Sequence, residues 1–168
     1  MTTSTISAAS GRLACKDRLQ AYLREHGVCF TLRHHPQAFT AQEVAASEHI
    51  SGKQLAKPVV VEADGRMLML VLPASHLVQL GKLAPALGAT RVHLVTEDDL
   101  SRIFDDCEVG AIPPFGNLYG LEVYVDRTLA DDERIEFRAG THTETLGIAY
   151  TDFSRLVEPK LIDVARHR

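Results

Sequence analysis

The chain lacks any apolar run long enough for a membrane. Its longest candidate, Met67 to Pro73, falls far short of the roughly 18 residues a spanning helix needs and suits a buried strand instead. Met1 to Gly11 is rich in Ser, Thr and Ala and has no basic start followed by an apolar stretch, so no secretory signal is expected there. A disordered lead-in over residues 1–11 is expected, with residues 12–168 forming one domain. Cysteine is scarce: Cys15, Cys29 and Cys107 are odd in number and show neither paired nor metal-type spacing, and are expected to be reduced thiols of a cytoplasmic protein. Metal-ligand spacing is missing as well. His34 and His35 are adjacent and point to opposite faces of a strand, and no HxxxH, HxH or Cys–His pair is present. No metal and no cofactor is expected. There is no glycine-rich phosphate loop and no Gly-x-Ser-x-Gly elbow. Positive charge is not in excess, with 18 Lys and Arg against 22 Asp and Glu and a net charge of −4. That argues against broad binding along a nucleic-acid backbone, DNA included. It leaves room for one or two cations that grip a single terminal nucleotide.

What is present is an apolar content of 45%, with 11 Gly and 7 Pro scattered as punctuation. Leu13 to His26 carries apolar residues at three- and four-residue spacings and predicts a helix stopped by Gly27. Val28 to Arg33 reads as a strand broken at His34-His35-Pro36. Thr40 with Glu43 forms a capping box that opens a second helix. Gln54–Glu62 and Arg66–Leu72 read as strands around an Ala63-Asp64-Gly65 hairpin turn, nearly continuous in apolar residues and so expected at the centre of a sheet. Leu77 to Leu87 predicts a helix ended by Gly88, and Ser75-His76 a loop entering it. Strands follow at Arg91–Val95, Leu121–Val125, Arg134–Arg138 and Thr145–Ala149, with short helices from Thr96 to Phe104 and from Thr151 to Val157. The mixed order predicts an α+β domain with a mixed, partly closed, barrel-like sheet surrounded by helices, not a doubly wound parallel fold.

Three places could carry chemistry. Lys57 heads the strongest apolar strand, Leu55 to Val61. It either points outward with a solvated head or serves as a fixed cation for a phosphate or a developing oxyanion. Gly110-Ala111-Ile112-Pro113-Pro114-Phe115-Gly116 is a stiff loop that could hold N–H groups toward a carbonyl, with Pro113, Pro114 and Phe115 walling a small apolar pocket. It could equally be an ordinary structural loop. Gly140-Thr141-His142 sits at a strand–strand turn, where the histidine either meets a substrate or lies on the surface.

Taken in order, these segments resemble the YbaK and prolyl-tRNA-synthetase-associated editing domains. The resemblance runs from about His35 to about Leu156. It is carried by Thr40 to Ala45, Ala56-Lys57, Leu80 to Gly88, the Gly110–Gly116 loop and Gly140-Thr141-His142. It implies a free-standing aminoacyl-tRNA deacylase, a metal-independent hydrolase of the ester joining a wrong amino acid to the 3′-terminal adenosine. It implies Lys57, Gly116 and His142 as catalytic residues, with His35, Thr40, Ile112, Pro113, Pro114, Phe115, Gly140 and Thr141 lining the substrate. The implied partner is the aminoacyl-tRNA 3′ end, with a synthetase as a further candidate. The oligomeric state stays open between monomer and homodimer. By family analogy the substrate is a small amino acid on prolyl-tRNA. One departure stands out: Pro58 follows Lys57 where better-known members carry threonine or asparagine, which removes a backbone donor and a polar side chain. Two rivals remain: a binding module for an amino acid, nucleotide or tRNA end without turnover, and a hydrolase of another acyl ester or thioester.

Overall fold

The computed structural model describes residues 14–35 and 55–167. The lead-in expected over 1–11, and the helix expected from Thr40 with its capping box, lie outside the described residues. Helix α1 (Cys15–Glu25) buries Leu19 and Leu23, one turn apart on one face, and Gly27 ends it at φ +70°. Strand β1 (Thr31–His34) follows.

The hairpin stands as the sequence predicts. Strands β2 (Ala56–Ala63) and β3 (Arg66–Pro73) pair without a break from Ala56 opposite Pro73 to Ala63 opposite Arg66. Asp64 and Gly65 between them have φ of +48° and +87°, the left-handed pair that a two-residue Asp-Gly turn supplies at least cost. The Asp64 carboxylate accepts hydrogen bonds from the N–H groups of Thr90 (2.9 Å) and Arg91 (2.8 Å), which pins the turn to the chain entering β5 (Val92–Leu94). These two bonds hold the carboxyl below its usual range.

Strand β3 lies at the centre of a five-stranded sheet ordered β5-β2-β3-β6-β9, with β6 at Glu122–Asp126 and β9 at Lys160–Ile162. Pairs β3–β6 and β6–β9 are parallel and the others antiparallel, so the sheet is mixed. Alternation along β3 sorts its side chains into two cores. Met69 and Val71 join Leu19, Leu23, Phe115, Phe137 and Phe153 on one side; Leu68, Leu70 and Leu72 join Val61, Leu83 and Ile162 on the other. A second sheet, β1-β8-β7, is antiparallel, with β7 at Arg134–Arg138 and β8 at Glu144–Ala149. It closes over the first core. Helices α2 (Leu80–Leu87), α3 (Glu97–Ile103), α4 (Arg127–Ala130) and α5 (Tyr150–Val157) and a 3-10 turn (Gly116–Tyr119) complete the described elements. Gly88 at φ +68° ends α2, and the Thr96 side chain caps α3 by accepting from Asp99 N–H at 3.2 Å. The architecture is α+β, and among the described residues the strands form three separate sheets and no closed barrel. No helix of the described residues is long and apolar enough to cross a membrane.

Two expectations are corrected. Ser75-His76 does not lead into a helix: His76–Val78 is strand β4, paired with β10 (Ala165–His167), and the helix starts only at Leu80. A three-residue strand whose partner lies near the far end of the chain leaves no periodic trace. The thiols are also not all free. Cys15 and Cys107 are joined in a disulfide across 92 residues, with Cα atoms 5.1 Å apart, while Cys29 is free and exposed. Tertiary contact between α1 and the turn after α3 creates this pair, and no local spacing announces it.

Two measurements test these restraints. Cross-linking a loop of this size chiefly restricts the unfolded chain, so reduction, or Cys107→Ser, should lower unfolding free energy by about 2–4 kcal/mol in denaturant titration. Asp64 has a folded pKa lowered from 3.8. Its contribution is therefore full above pH 3.8 and lost as pH falls through the folded value. Asp64→Asn should be less stable than the native chain at pH 6, and the gap should close on acidification toward pH 2; a constant gap would refute the linkage.

Candidate active site

A cavity of about 220 Å³ opens between the head of β2, helix α3, the Gly110 loop and the end of β7. Leu55, Ala56, Pro58, Leu100 and Ile112 give it apolar walls, and Gly110 leaves room at one edge. Lys57 and Arg138 supply its two cationic side chains. The isolated bridge of Leu55 to Glu136 runs parallel, so two residues further on Lys57 comes level with Arg138. The cavity is below the roughly 300–1,000 Å³ of drug-sized sites. It suits a small acyl group and not a whole nucleoside.

The loop beside it is held by the turn at Gly140. Glu108 N–H donates to Gly140 O (2.9 Å), and Gly140 N–H donates to Ala111 O (2.9 Å). His142 N–H donates to the Glu108 carboxylate at 2.7 Å. The His142 ring completes the join. Its Nε2 lies 2.6 Å from Val109 O, which can only accept, so Nε2 carries the hydrogen. Its Nδ1 lies 3.4 Å from an Arg138 guanidinium nitrogen, which can only donate. The same Arg138 nitrogen donates to Gly110 O. Both ring nitrogens of His142 are thus engaged by protein, and the side chain is 7% exposed.

The other candidates separate into those at the cavity and those behind it. Lys57, Ile112 and the Gly110 end of the loop reach it. Phe115 is fully buried and packs edge-on against Phe137 (5.4 Å) and Phe153 (5.6 Å), so it anchors the loop in the core. Pro113 and Pro114 are buried beside it. Gly116 sits where a Cβ would come within 2.9 Å of Val123 Cγ2 and 3.3 Å of Met69 Cβ. Gly140, at φ +94°, lies against Cys15: a Cβ there would be 2.8 Å from the Cys15 sulfur. Thr141 donates through its hydroxyl to the buried Glu144 at 3.1 Å, and Lys16 pairs with the same carboxylate at 3.1 Å. His35 is buried, with Nε2 3.0 Å from Thr145 Oγ1 and its N–H donating to Thr143 O. Thr40 lies outside the described residues. The sequence reading missed Arg138 because its alternation with Glu136, opposite Ile135 and Phe137, reads as a solvated strand face. In the structure that face is buried, Glu136 at 6% and Arg138 at 7% exposed, with Leu55 at the start of β2 bridged to Glu136.

Residues 35–156, well over half of the chain, match the family model described as the aminoacyl-tRNA editing domain. The chain belongs to this editing-domain family. Among curated relatives, the Multifunctional Ser/Thr-tRNA deacylase ProXp-y of Escherichia coli is 26% identical over 154 residues, covering 89% of this chain and 92% of the relative. The proline–tRNA ligase of Thiobacillus denitrificans is 30% identical over 129 residues, which cover 76% of this chain but 22% of the ligase. Among solved structures, one described as a candidate trans-editing enzyme for prolyl tRNA synthetase superposes with a TM-score of 0.78 at 19% identity, covering 92% of this chain and 99% of the other. An epitope-grafting scaffold gives 0.79 at 19% identity over 94% of this chain and 100% of its own. At that identity the structural likeness speaks for the fold, which agrees with the editing-domain assignment.

Within this editing domain, Gly116 is first of all a packing requirement. Gly116→Ala should destabilise by about 1–3 kcal/mol through overpacking against Val123 and Met69, read as a lower thermal midpoint. An unchanged midpoint would show that β6 yields freely.

Proposed function

We propose that the chain is a free-standing aminoacyl-tRNA deacylase, hydrolysing the ester of a small amino acid on the wrong tRNA, with prolyl-tRNA the first candidate. The observation that carries this is the meeting of Lys57 and the Gly110–Ile112 edge of the loop on one small apolar cavity. Family membership and the deacylase name of the Escherichia coli relative support it.

In this scheme the acyl side chain enters the cavity and the terminal adenosine stays at its mouth. The Lys57 ammonium holds a phosphate or ribose oxygen of that nucleotide. Pro113 and Pro114 have no N–H, and Phe115 and Gly116 lie behind the cavity, so the donor the loop offers the ester carbonyl is the Ile112 N–H. Water adds to the carbonyl carbon, the oxyanion is held by that donor beside the Lys57 ammonium, and the ester bond to the ribose oxygen breaks. The neighbouring ribose hydroxyl relays the proton, accepting the water's while passing its own to the departing ribose oxygen, so that the free amino acid and the intact ribose are released. His142 shapes the pocket and is not the base, because both its nitrogens are engaged. Positioning suffices because an aminoacyl ester is already reactive. His35, Gly140 and Thr141 support the walls of the site. Such an enzyme works in the cytoplasm, where aminoacyl-tRNA is made and used.

Purified protein incubated with mischarged tRNAs tests this reading. Turnover of a small amino acid is expected, and Lys57→Ala should lower the rate by about 10²-fold or more. Full activity in that variant would remove Lys57 from the mechanism. Saturable binding without turnover would make the chain a binding module, and turnover of acyl-coenzyme A alone would make it a thioesterase.

A further inference from the structure

We propose that Arg138 is the positioning residue of this cavity: it locks the Gly110 loop to the Gly140 turn and so sets where the loop's backbone donor points. The kinetic arm of the test below rests on the deacylase reading; the exchange arm does not.

Arg138 ends β7, where Ile135 and Phe137 alternate into the core and Glu136 and Arg138 take the opposite face. That face is covered, and Arg138 is 7% exposed. Burying a guanidinium is costly unless it is hydrogen-bonded, so its location calls for a reason beyond packing. Three loop residues, Glu108, Val109 and Ala111, bond to the turn through backbone groups, the Glu108 carboxylate and the His142 ring, and Gly110 between them bonds to Arg138. Of the groups making this join, Arg138 both lines the cavity and contacts the two halves: it donates to Gly110 O and faces His142 Nδ1 at 3.4 Å. Its bond to Gly110 is charge-assisted, as is the bond from His142 N–H to the Glu108 carboxylate. Gly110 itself has φ +84°, and a Cβ there would lie 3.3 Å from the His142 ring. The close approach that glycine permits is what brings its carbonyl to Arg138. Ile112, the candidate donor of the loop, follows only two residues later. A shift of Gly110 is therefore passed to that donor with little chain to absorb it.

Arginine suits this task and lysine does not. The guanidinium is planar and stiff, and one of its nitrogens donates to Gly110 O while facing His142 Nδ1, whereas an ammonium on a shorter, flexible stem is not held in that direction. Arg138→Lys keeps the charge in the cavity and removes the planar guanidinium, which separates positioning from simple electrostatics.

The experiment measures kcat and KM for deacylation in Arg138→Lys and Arg138→Ala, with thermal midpoints, and hydrogen exchange of the loop amides in the free proteins. The expected result for Arg138→Lys is a folded protein whose kcat falls by about 10²-fold, the cost of misplacing reacting groups by about 1 Å, with KM within about threefold. Amides of Ile112, Phe115 and Gly116 should exchange faster while those of β3 are unchanged. Native kcat in a folded Arg138→Lys protein overturns the proposal, as does unchanged exchange at the loop. A rise in KM with kcat intact also overturns it, because that would make Arg138 a ground-state binding group. Should the native chain deacylate nothing, the deacylase reading fails, and the exchange result still decides the role of Arg138. If Arg138→Ala does not fold, the lysine variant alone decides.

Discussion

The site depends on one constraint: the loop from Glu108 to Gly116 cannot hold its own shape. Two consecutive prolines deprive it of donors, and it belongs to no sheet. Its geometry is borrowed at both ends. At one end the turn at Gly140 and His142 binds Glu108, Val109 and Ala111, and Arg138 binds Gly110 between them. At the other, Phe115 is sunk among Phe137, Phe153 and Tyr22. The turn is supported in its own right. Gly140 rests on Cys15, where any side chain would collide, and Cys15 is tied to Cys107 one residue before the loop begins. Helix α1, the turn and the loop therefore form one braced unit, with the cavity on its far side.

The bracing decides what chemistry is available. A histidine at a site invites assignment as a general base, but a base needs a lone pair open to water. The His142 ring gives its hydrogen to Val109 O and turns its other nitrogen to a guanidinium. The ring is a strut, and the proton has to go elsewhere, which places the burden on the substrate's own hydroxyl. Nearby, Tyr119 is similarly withdrawn from chemistry: burial and its hydrogen bond to Asp106 push its phenol well above the usual value.

The fold was legible wherever local rules agreed. The Asp64-Gly65 turn, the apolar runs on either side, the Thr96 cap and the Gly88 stop each have a mechanism that acts within a few residues. Strands β4, β9 and β10 were not legible, because three residues paired with a distant segment carry no period. The Cys15–Cys107 bond was hidden for the same reason. At the site, the family motifs pointed to Lys57 and the loop, and the structure brings both to the cavity. They did not distinguish residues that line it from residues that brace it. Phe115, Gly116 and Gly140 look like substrate contacts in the sequence and are packing elements in space. Arg138 shows the reverse error. A charged residue alternating with core residues reads as solvated until something is known to cover it.

Pro58 illustrates how the site can tolerate a residue that the family pattern disfavours. A proline inside a sheet forfeits a ladder bond unless its missing N–H faces no partner. Strand β2 pairs with β3 along its whole length, with Pro58 opposite Val71, but β5 joins its other edge only from Val61 onward. Between the Leu55–Glu136 bridge and Val61 no ladder forms on that edge of β2 among the described residues, and a proline fits there. The gain is an apolar wall directly beside Lys57. Replacing a polar side chain by a ring lowers the local polarity, and a cation acts more strongly on a nearby oxygen when less of its field is screened. The loss is a hydrogen bond that could have read the substrate's side chain. A pocket so built selects by size more than by bonding at this wall, and one methylene in an apolar wall separates substrates by only about 1–3 kcal/mol. For the proposed deacylase, this geometry would favour breadth across small amino acids with exclusion of large ones.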